Sequence, residues 1–259
     1  MSVAFDTLEN VFESGVWPSN ERGWRAQALA KLQHEGFPSK RLEAWKYTDL
    51  SDLADTPWVA AVVSEDTVPE VALLPDTDRF VFINGIFDIT RSSIGELPSG
   101  VEWEAESVAP PDGEPLHAVA GLNVALARHG LRLRVPEGVS LPRPLEVVNL
   151  TSEHTNGSMH HLRHHIVLEP GATATILEQS LSHEATALST QNWTLTLAAG
   201  ANLNLTRLQD TSERHKQVDL IDARIDRDAS LTANLLELGA RPGRLDVRAQ
   251  LVGERLLGA

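Results

Sequence analysis

The segment Met159 to His165, MHHLRHH, is the densest run of metal-capable side chains in this sequence. It contains His160, His161, His164 and His165, with His154 before it and His183 after it. Imidazole is a good ligand for zinc, iron or nickel. On a β-strand, residues two apart share a face, so a chelating pair needs His-x-His spacing. The separations here are 1, 3, 4 and 5, never 2. His161 and His165 share a face but stand about 13 Å apart along an extended strand. One ion could not span them unless the backbone turned between. The competing reading is a solvated, partly protonated surface strand that holds no metal.

Other chemistries leave even less trace. General acid–base work needs two carboxylates brought together with shifted pKa values. The 36 acidic residues show no spacing that singles out such a pair. Asp246 and Glu254, near the end of the chain, could face a partner, but a solvated face is the favoured reading of them. No Gly-x-Ser-x-Gly elbow, phosphate-binding loop or dinucleotide fingerprint is present. There is no cysteine, which excludes disulfides and thiolate ligation of zinc or an iron–sulfur cluster by this chain. No catalytic, cofactor-binding or metal residue is therefore assigned. A net charge of −14, without a basic cluster, argues against nucleic acid or an anionic membrane as partner. No apolar run reaches the roughly 18 residues of a membrane span. The acidic start, MSVAFDTLEN, lacks the features of a signal peptide. These observations predict a cytoplasmic protein.

The elements that must position any site fall into two regions. Residues 1–120 carry five of the six tryptophans and read as a mixed, partly helical region. Ala26, Leu29, Ala30 and Leu32 have helical spacing before Gly36 stops the run. Residues 79–88, RFVFINGIFD, predict a β-hairpin turning at Asn84-Gly85. A short helix is expected over His117–His129, ended by Gly130. From 121 to 259 the pattern becomes repetitive. LEVVNL, HIVLEPGATATIL, WTLTLAAGANLNLTRL and LDVRAQLVG alternate apolar and polar residues, which marks strands with one buried face. The turn residues Gly138, Gly171, Gly200, Asp228 and Gly253 recur at spacings of 33, 29, 28 and 25. Strand, tight turn, strand and looser connection, at that period, predict a mainly β chain folded as a β-solenoid. A β-sandwich or jelly roll is the alternative fold.

One stretch is too unusual for turn chemistry alone. GFPSKRLEAWKYTDL, from Gly36 to Leu50, sets Trp45 and Tyr47 around Lys46 after a Gly-Phe-Pro turn. It resembles a signature of the SufB/SufD family, scaffolds of iron–sulfur cluster assembly, and its wording is that of the SufD branch. The resemblance continues through LNVALARHGLRLRVPEGVSLPRPLEVVNL, with Asn123, Ala125, Gly130, Pro136, Gly138 and Pro144 in place. It extends to Glu178, to Asn192 with Gly200-Ala201 and Gln209, and to LDVRAQLVGE ending at Glu254. The fold it implies is a right-handed parallel β-helix after an N-terminal α/β region and before a helical C-terminal region. Trp45 and Tyr47 are expected to pack the N-terminal region onto the first coil. Family members run well beyond this length, and RLLGA, Arg255 to Ala259, falls inside a coil. The expectation is an N-terminal fragment that lacks the C-terminal part.

The resemblance implies a non-catalytic subunit of the SufBCD complex. Its partners would be a SufB-like paralogue and a SufC-like ATPase, bound through surfaces in the C-terminal part. The cluster would be handled transiently by the full complex, with no cofactor held by this chain alone. A homodimer is a further possibility. Two rival classes stand against this reading. A cupin-like metal enzyme would use the His160–His165 cluster, and Glu169-Pro170-Gly171 supplies the Glu-Pro-Gly ending such a site has, without its His pair. A free-standing β-solenoid binding module would need neither Suf partner.

Overall fold

The computed structural model describes residues 3–62, 68–72, 74–153, 157–184 and 186–253. Two helices open the chain, α1 (Val3–Ser14) and α2 (Arg22–Glu35). In α1, Ala4, Leu8 and Phe12 recur every four residues and form the buried stripe. Gly36, at φ 75°, ends α2 by donating its N–H to Leu32 O at 2.8 Å. Two 3-10 turns follow, Glu43–Trp45 and Ser51–Asp55. Asp49 Oδ1 accepts from Ser51 N at 3.1 Å and so starts the second turn. Next come β1 (Val59–Ala60), β2 (Asp78–Ile83), β3 (Ile86–Phe87), β4 (Glu102–Glu104) and α3 (Ala118–Leu126). β2 and β3 form the expected hairpin. Asn84 and Gly85 both take positive φ, as a two-residue turn of this type requires.

Nine long strands complete the chain: β5 (Arg132–Val135), β6 (Leu145–Thr151), β7 (Ser158–Leu168), β8 (Thr173–Ser182), β9 (Ala187–Leu197), β10 (Asn202–Asp210), β11 (Lys216–Ile225), β12 (Ser230–Glu237) and β13 (Gly243–Leu251). They alternate between two parallel sheets. One has the order β13-β11-β9-β7-β5-β4 and the other β12-β10-β8-β6-β2-β3. Each coil gives one strand to each sheet, which makes a parallel β-solenoid of about 4 turns. The register aligns like parity from coil to coil: Ala174 pairs with Leu203, Ile176 with Leu205, and Glu178 with Arg207. Alternate residues therefore stack in columns inside the solenoid.

The coil corners explain the glycine period. Gly138, Gly171, Gly200 and Asp228 all have φ between 58° and 70°. Gly138, Gly171 and Gly200 each donate an N–H to the next corner, reaching Pro170 O, Ala199 O and Arg227 O at 2.9 Å. Gly253 does not belong to this series. Leu251 pairs with Ile225, which sets Gly253 beside Arg227 rather than Asp228. Glu254 and Arg255–Ala259 lie outside the described residues. Gly130 also differs from its expected role. The helix is capped at Ala127, three residues before Gly130, where the Ala127 N–H donates to Asn123 O. A Cβ on Gly130 would stand 1.9 Å from Arg163 O, so close approach to β7 demands glycine there.

The helices cover the outer face of the first sheet. Leu8, Leu32, Trp58, Val119 and Leu122 form one buried cluster with Met159, Leu188 and Val218 of β7, β9 and β11. Trp45 belongs to this cluster, but it meets the last described strand rather than the first coil. Arg244 of β13 stacks over its ring at 3.9 Å and donates to Ala44 O at 2.8 Å. His117 meets the ring edge-on at 5.1 Å. Tyr47 does not pack at all and is 92% exposed. The cause is local: at three residues per turn, side chains two apart leave the axis in different directions. Trp45→Ala is expected to cost about 3–5 kcal/mol in urea unfolding. Tyr47→Ala should change it by about 0.5 kcal/mol or less. Equal losses for the two would refute this assignment of the motif.

Candidate functional site

The interior of the solenoid changes character along its strands. Near the glycine corners it is apolar, with Leu168, Ala172, Leu197, Ala201 and Leu203 fully buried. Farther along, the inward columns become polar. Asn149, Glu178, Ser180, Gln191, Arg207, Gln209, Gln217 and Asp219 are all buried. Arg207 is the only cation among them. It pairs with Asp219 through Nη2, and its Nε lies 3.2 Å from Glu178 Oε2 and 3.1 Å from Glu237 Oε1. The two Nε approaches are ion contacts without hydrogen-bond alignment, and Nη1 makes no hydrogen bond. Amide and hydroxyl groups complete the network. Asn149 donates to Glu178 Oε1 at 3.0 Å and to Gln191 Oε1 at 2.7 Å, and Gln217 donates to Asp219 at 2.7 Å. Asp219 Oδ1 also accepts from Gln191 N at 2.6 Å.

Three carboxylates share one guanidinium, and burial and that cation act in opposite senses on Glu178 and Glu237. Burial pushes Glu178 up, opposed by Arg207 and reinforced by Asp219. Burial likewise raises Glu237 to about 7, against the pull of Arg207. Burial alone would lower Arg207, but Glu178, Asp219 and Glu237 outweigh it and hold the guanidinium above its ordinary value. Glu237 sits on β12 with its side chain 32% accessible. It is therefore the point where this interior can exchange a proton with solvent near neutral pH.

The histidines are not on a solvated surface strand, as the sequence reading allowed. His164 faces the interior, stacked on Trp193 at 4.1 Å, and its Nδ1 accepts from Leu131 N at 3.0 Å. His160 also points inward, 5.9 Å from the ring of His215. His161 points the other way, beneath α3, with Nδ1 2.8 Å from Thr190 Oγ1. His165 shares that outer parity and is partly exposed. Burial lowers His160 to about 4, and His161, His164 and His215 to about 3, so all four are neutral near pH 7. The segment splits between two faces. Among the described residues no three His, Asp or Glu side chains converge as metal ligands. His154 lies outside the described residues.

The other sequence candidates are structural in the fold. Asp246 pairs with Arg244 at 2.7 Å and lies 3.2 Å from His117 Nε2, joining β13 to the start of α3. Asn123 is buried, donating to Leu162 O at 2.8 Å and Thr190 Oγ1 at 2.9 Å. Arg207, Asp219 and Glu237 went unrecognised in the sequence. The signal was present: each is a charged residue on the parity that is otherwise apolar, as in Leu203, Leu205 and Arg207.

Acid should weaken this fold early. The unfolded chain protonates its histidines near 6.5, whereas the buried four resist until about 3 to 4. Their stabilisation is complete above pH 6.5 and is lost as pH falls toward those lower values. Glu237 and Glu178, with raised folded values, act in the opposite sense. Four imidazoles outnumber two carboxylates, which leaves a net loss of stability as pH falls from 6.5 toward 4. Urea unfolding at pH 7 and pH 5 checks this. Equal stability at the two values would contradict it.

The sequence is similar to known proteins. Residues 150–257 match the family described as SUF system FeS cluster assembly, SufBD core domain. The chain is 28% identical over 237 residues to the iron–sulfur cluster assembly protein SufD of Escherichia coli, covering 88% of this chain and 55% of that protein. It is 30% identical over 175 residues to an iron–sulfur cluster assembly SufBD family protein of Synechocystis, covering 61% and 38% respectively. The chain thus spans about half the length of the first of these relatives and less of the second. No helix among the described residues is long and apolar enough to cross a membrane. Residues 150–257 thus match the SufBD core domain, and along 88% of its length the chain is SufD-like in sequence.

Proposed function

We propose that this chain acts as a non-catalytic, SufD-like subunit in cytoplasmic iron–sulfur cluster assembly. It works beside a SufB-like paralogue and a SufC-like ATPase. The observation that carries this reading is the SufBD core match over the coils, together with similarity to SufD along 88% of the chain. The chemistry of the interior supports a structural role. Its carboxylates are drawn around Arg207, its buried histidines are neutral, and the chain has no thiolate to offer. The cluster is cargo, held with ligands that other chains or further residues of the complex supply. No observation favours a cupin-like metal enzyme, because the histidine segment divides between two faces of the sheet.

Co-expression tests the reading. The protein, at the full length its gene encodes, is tagged and produced with the SufB-like and SufC-like proteins of its own organism. Both are expected to co-purify. Residues 1–259 alone are expected to hold the SufC-like ATPase weakly or not at all. Failure of the full-length protein to capture either partner would favour a free-standing binding module instead.

A further inference from the structure

A second polar feature lies outside the solenoid interior. A groove runs between the outer face of the first sheet and the loop that leads into α3. Its volume is about 60 Å³, room for about two waters or for a ligand of a few non-hydrogen atoms. The strand register builds its floor. Arg163 of β7 pairs with Asn192 of β9. Thr194, two residues on and so on the same face, pairs with Asp222 of β11. The loop is its roof, with Asp112 exposed at the mouth. The Arg163 Nε–H donates to Ala109 O at 3.2 Å, which holds this loop above the guanidinium.

Two floor groups are buried and unpartnered. Arg163 is 6% exposed and Asn192 5% exposed. A guanidinium has five N–H donors, and Arg163 uses one of them. Its Nη1 and Nη2 and the Asn192 side-chain amide make no hydrogen bond among the described residues, yet none of these atoms is sealed off: each keeps accessible surface. Burial lowers Arg163 to about 10, against the pull of Asp112 and Asp222, so it is charged at neutral pH. Neither acid forms an ion pair with it. Asp222 is taken by Arg248, whose Nε donates to it at 2.9 Å. Asp112 has no ion pair among the described residues, although its charge acts on Arg163. A buried cation and a free carboxylate thus line one groove without touching. An underbonded buried guanidinium is costly, and a ligand between the two charges would satisfy both.

We propose that this groove binds a free α-amino acid by its charged head, the carboxylate taken by the Arg163 guanidinium and the Asn192 amide and the ammonium by the Asp112 carboxylate. Charges of both signs line the groove, so a zwitterion matches it better than a simple anion or a simple cation. A charge-assisted contact to each end selects the zwitterion over either half of it. The small volume limits the buried part to the head, and any side chain would project at the mouth. This assignment stands apart from the role in cluster assembly, and its test needs no Suf partner.

Glycine is the probe, titrated into the 259-residue chain at constant ionic strength and followed by 1H–15N NMR. Saturable shifts are expected at the Arg163 Nε–H and the Asn192 side-chain amide, with affinity on the order of millimolar for a ligand of this size. Acetate and methylamine, the two halves of the zwitterion, should each bind about tenfold more weakly. Asp112→Asn should weaken glycine by about tenfold and erase its advantage over acetate. Asp112 is exposed, so this change spares the fold. Arg163→Lys keeps the charge but not the planar fork, and should also weaken glycine. The proposal is overturned if glycine gives no saturable shift, which would leave the groove to water alone. It is equally overturned if acetate matches glycine, or if Asp112→Asn leaves the affinity unchanged.

Discussion

Everything in this chain depends on the parallel stacking of coils in strict register. Each strand joins its neighbours through backbone hydrogen bonds roughly 4.8 Å apart, so every inward residue sits directly above its counterpart in the next coil. The interior is then a set of columns rather than a general core. A column is stable when it is uniformly apolar or when its polar members satisfy one another. The half near the glycine corners takes the first course, through residues such as Leu168, Leu197 and Leu203. The other half takes the second, and Arg207 is the group that makes it work.

A lone buried guanidinium is costly, as is a lone buried carboxylate. Here the register brings Glu178 and Arg207 into adjacent coils of one sheet, while Asp219 approaches from the opposite sheet. Amides fill the remaining valences: Asn149 and Gln191 on one side of Glu178, Gln217 beside Asp219. The network is thus long-range in sequence and short-range in space. It couples four successive coils and both sheets, and it can form only after the stack has assembled. The N-terminal region is tied to the same stack by a separate device. Trp45, Arg244, His117 and Asp246 link the signature turn, the start of α3 and β13. The chain beginning with α1 therefore closes over strands laid down some two hundred residues later.

Much of the architecture was legible in the sequence because it rests on local rules. Period-two alternation marked the strands, Gly138, Gly171 and Gly200 marked the corners, and Asn84-Gly85 marked the hairpin. What could not be read was anything set by the third dimension. MHHLRHH has polar composition, so it suggested a surface, yet both faces of β7 are covered, one by the opposite sheet and one by helices. Tyr47 shares its motif with Trp45 but not its direction, because it lies beyond the 3-10 turn that Trp45 closes. Gly253 fitted the period by type and missed it by one residue in register. Arg207, Asp219 and Glu237 were hidden by the alternation itself, since a charge on the inward parity gains meaning only when its partners in other coils are known.

The central claim is that one buried guanidinium holds the polar half of the coil stack together. It is tested most directly by the unfolding free energy of Arg207→Met, measured by urea titration at pH 7. Removing one partner from a buried charge cluster should cost about 3–5 kcal/mol. Adding Glu178→Gln and Asp219→Asn should recover part of that loss, because the stranded carboxylates are then gone. A loss under about 1 kcal/mol for Arg207→Met, within the range of an ordinary surface substitution, would contradict the account.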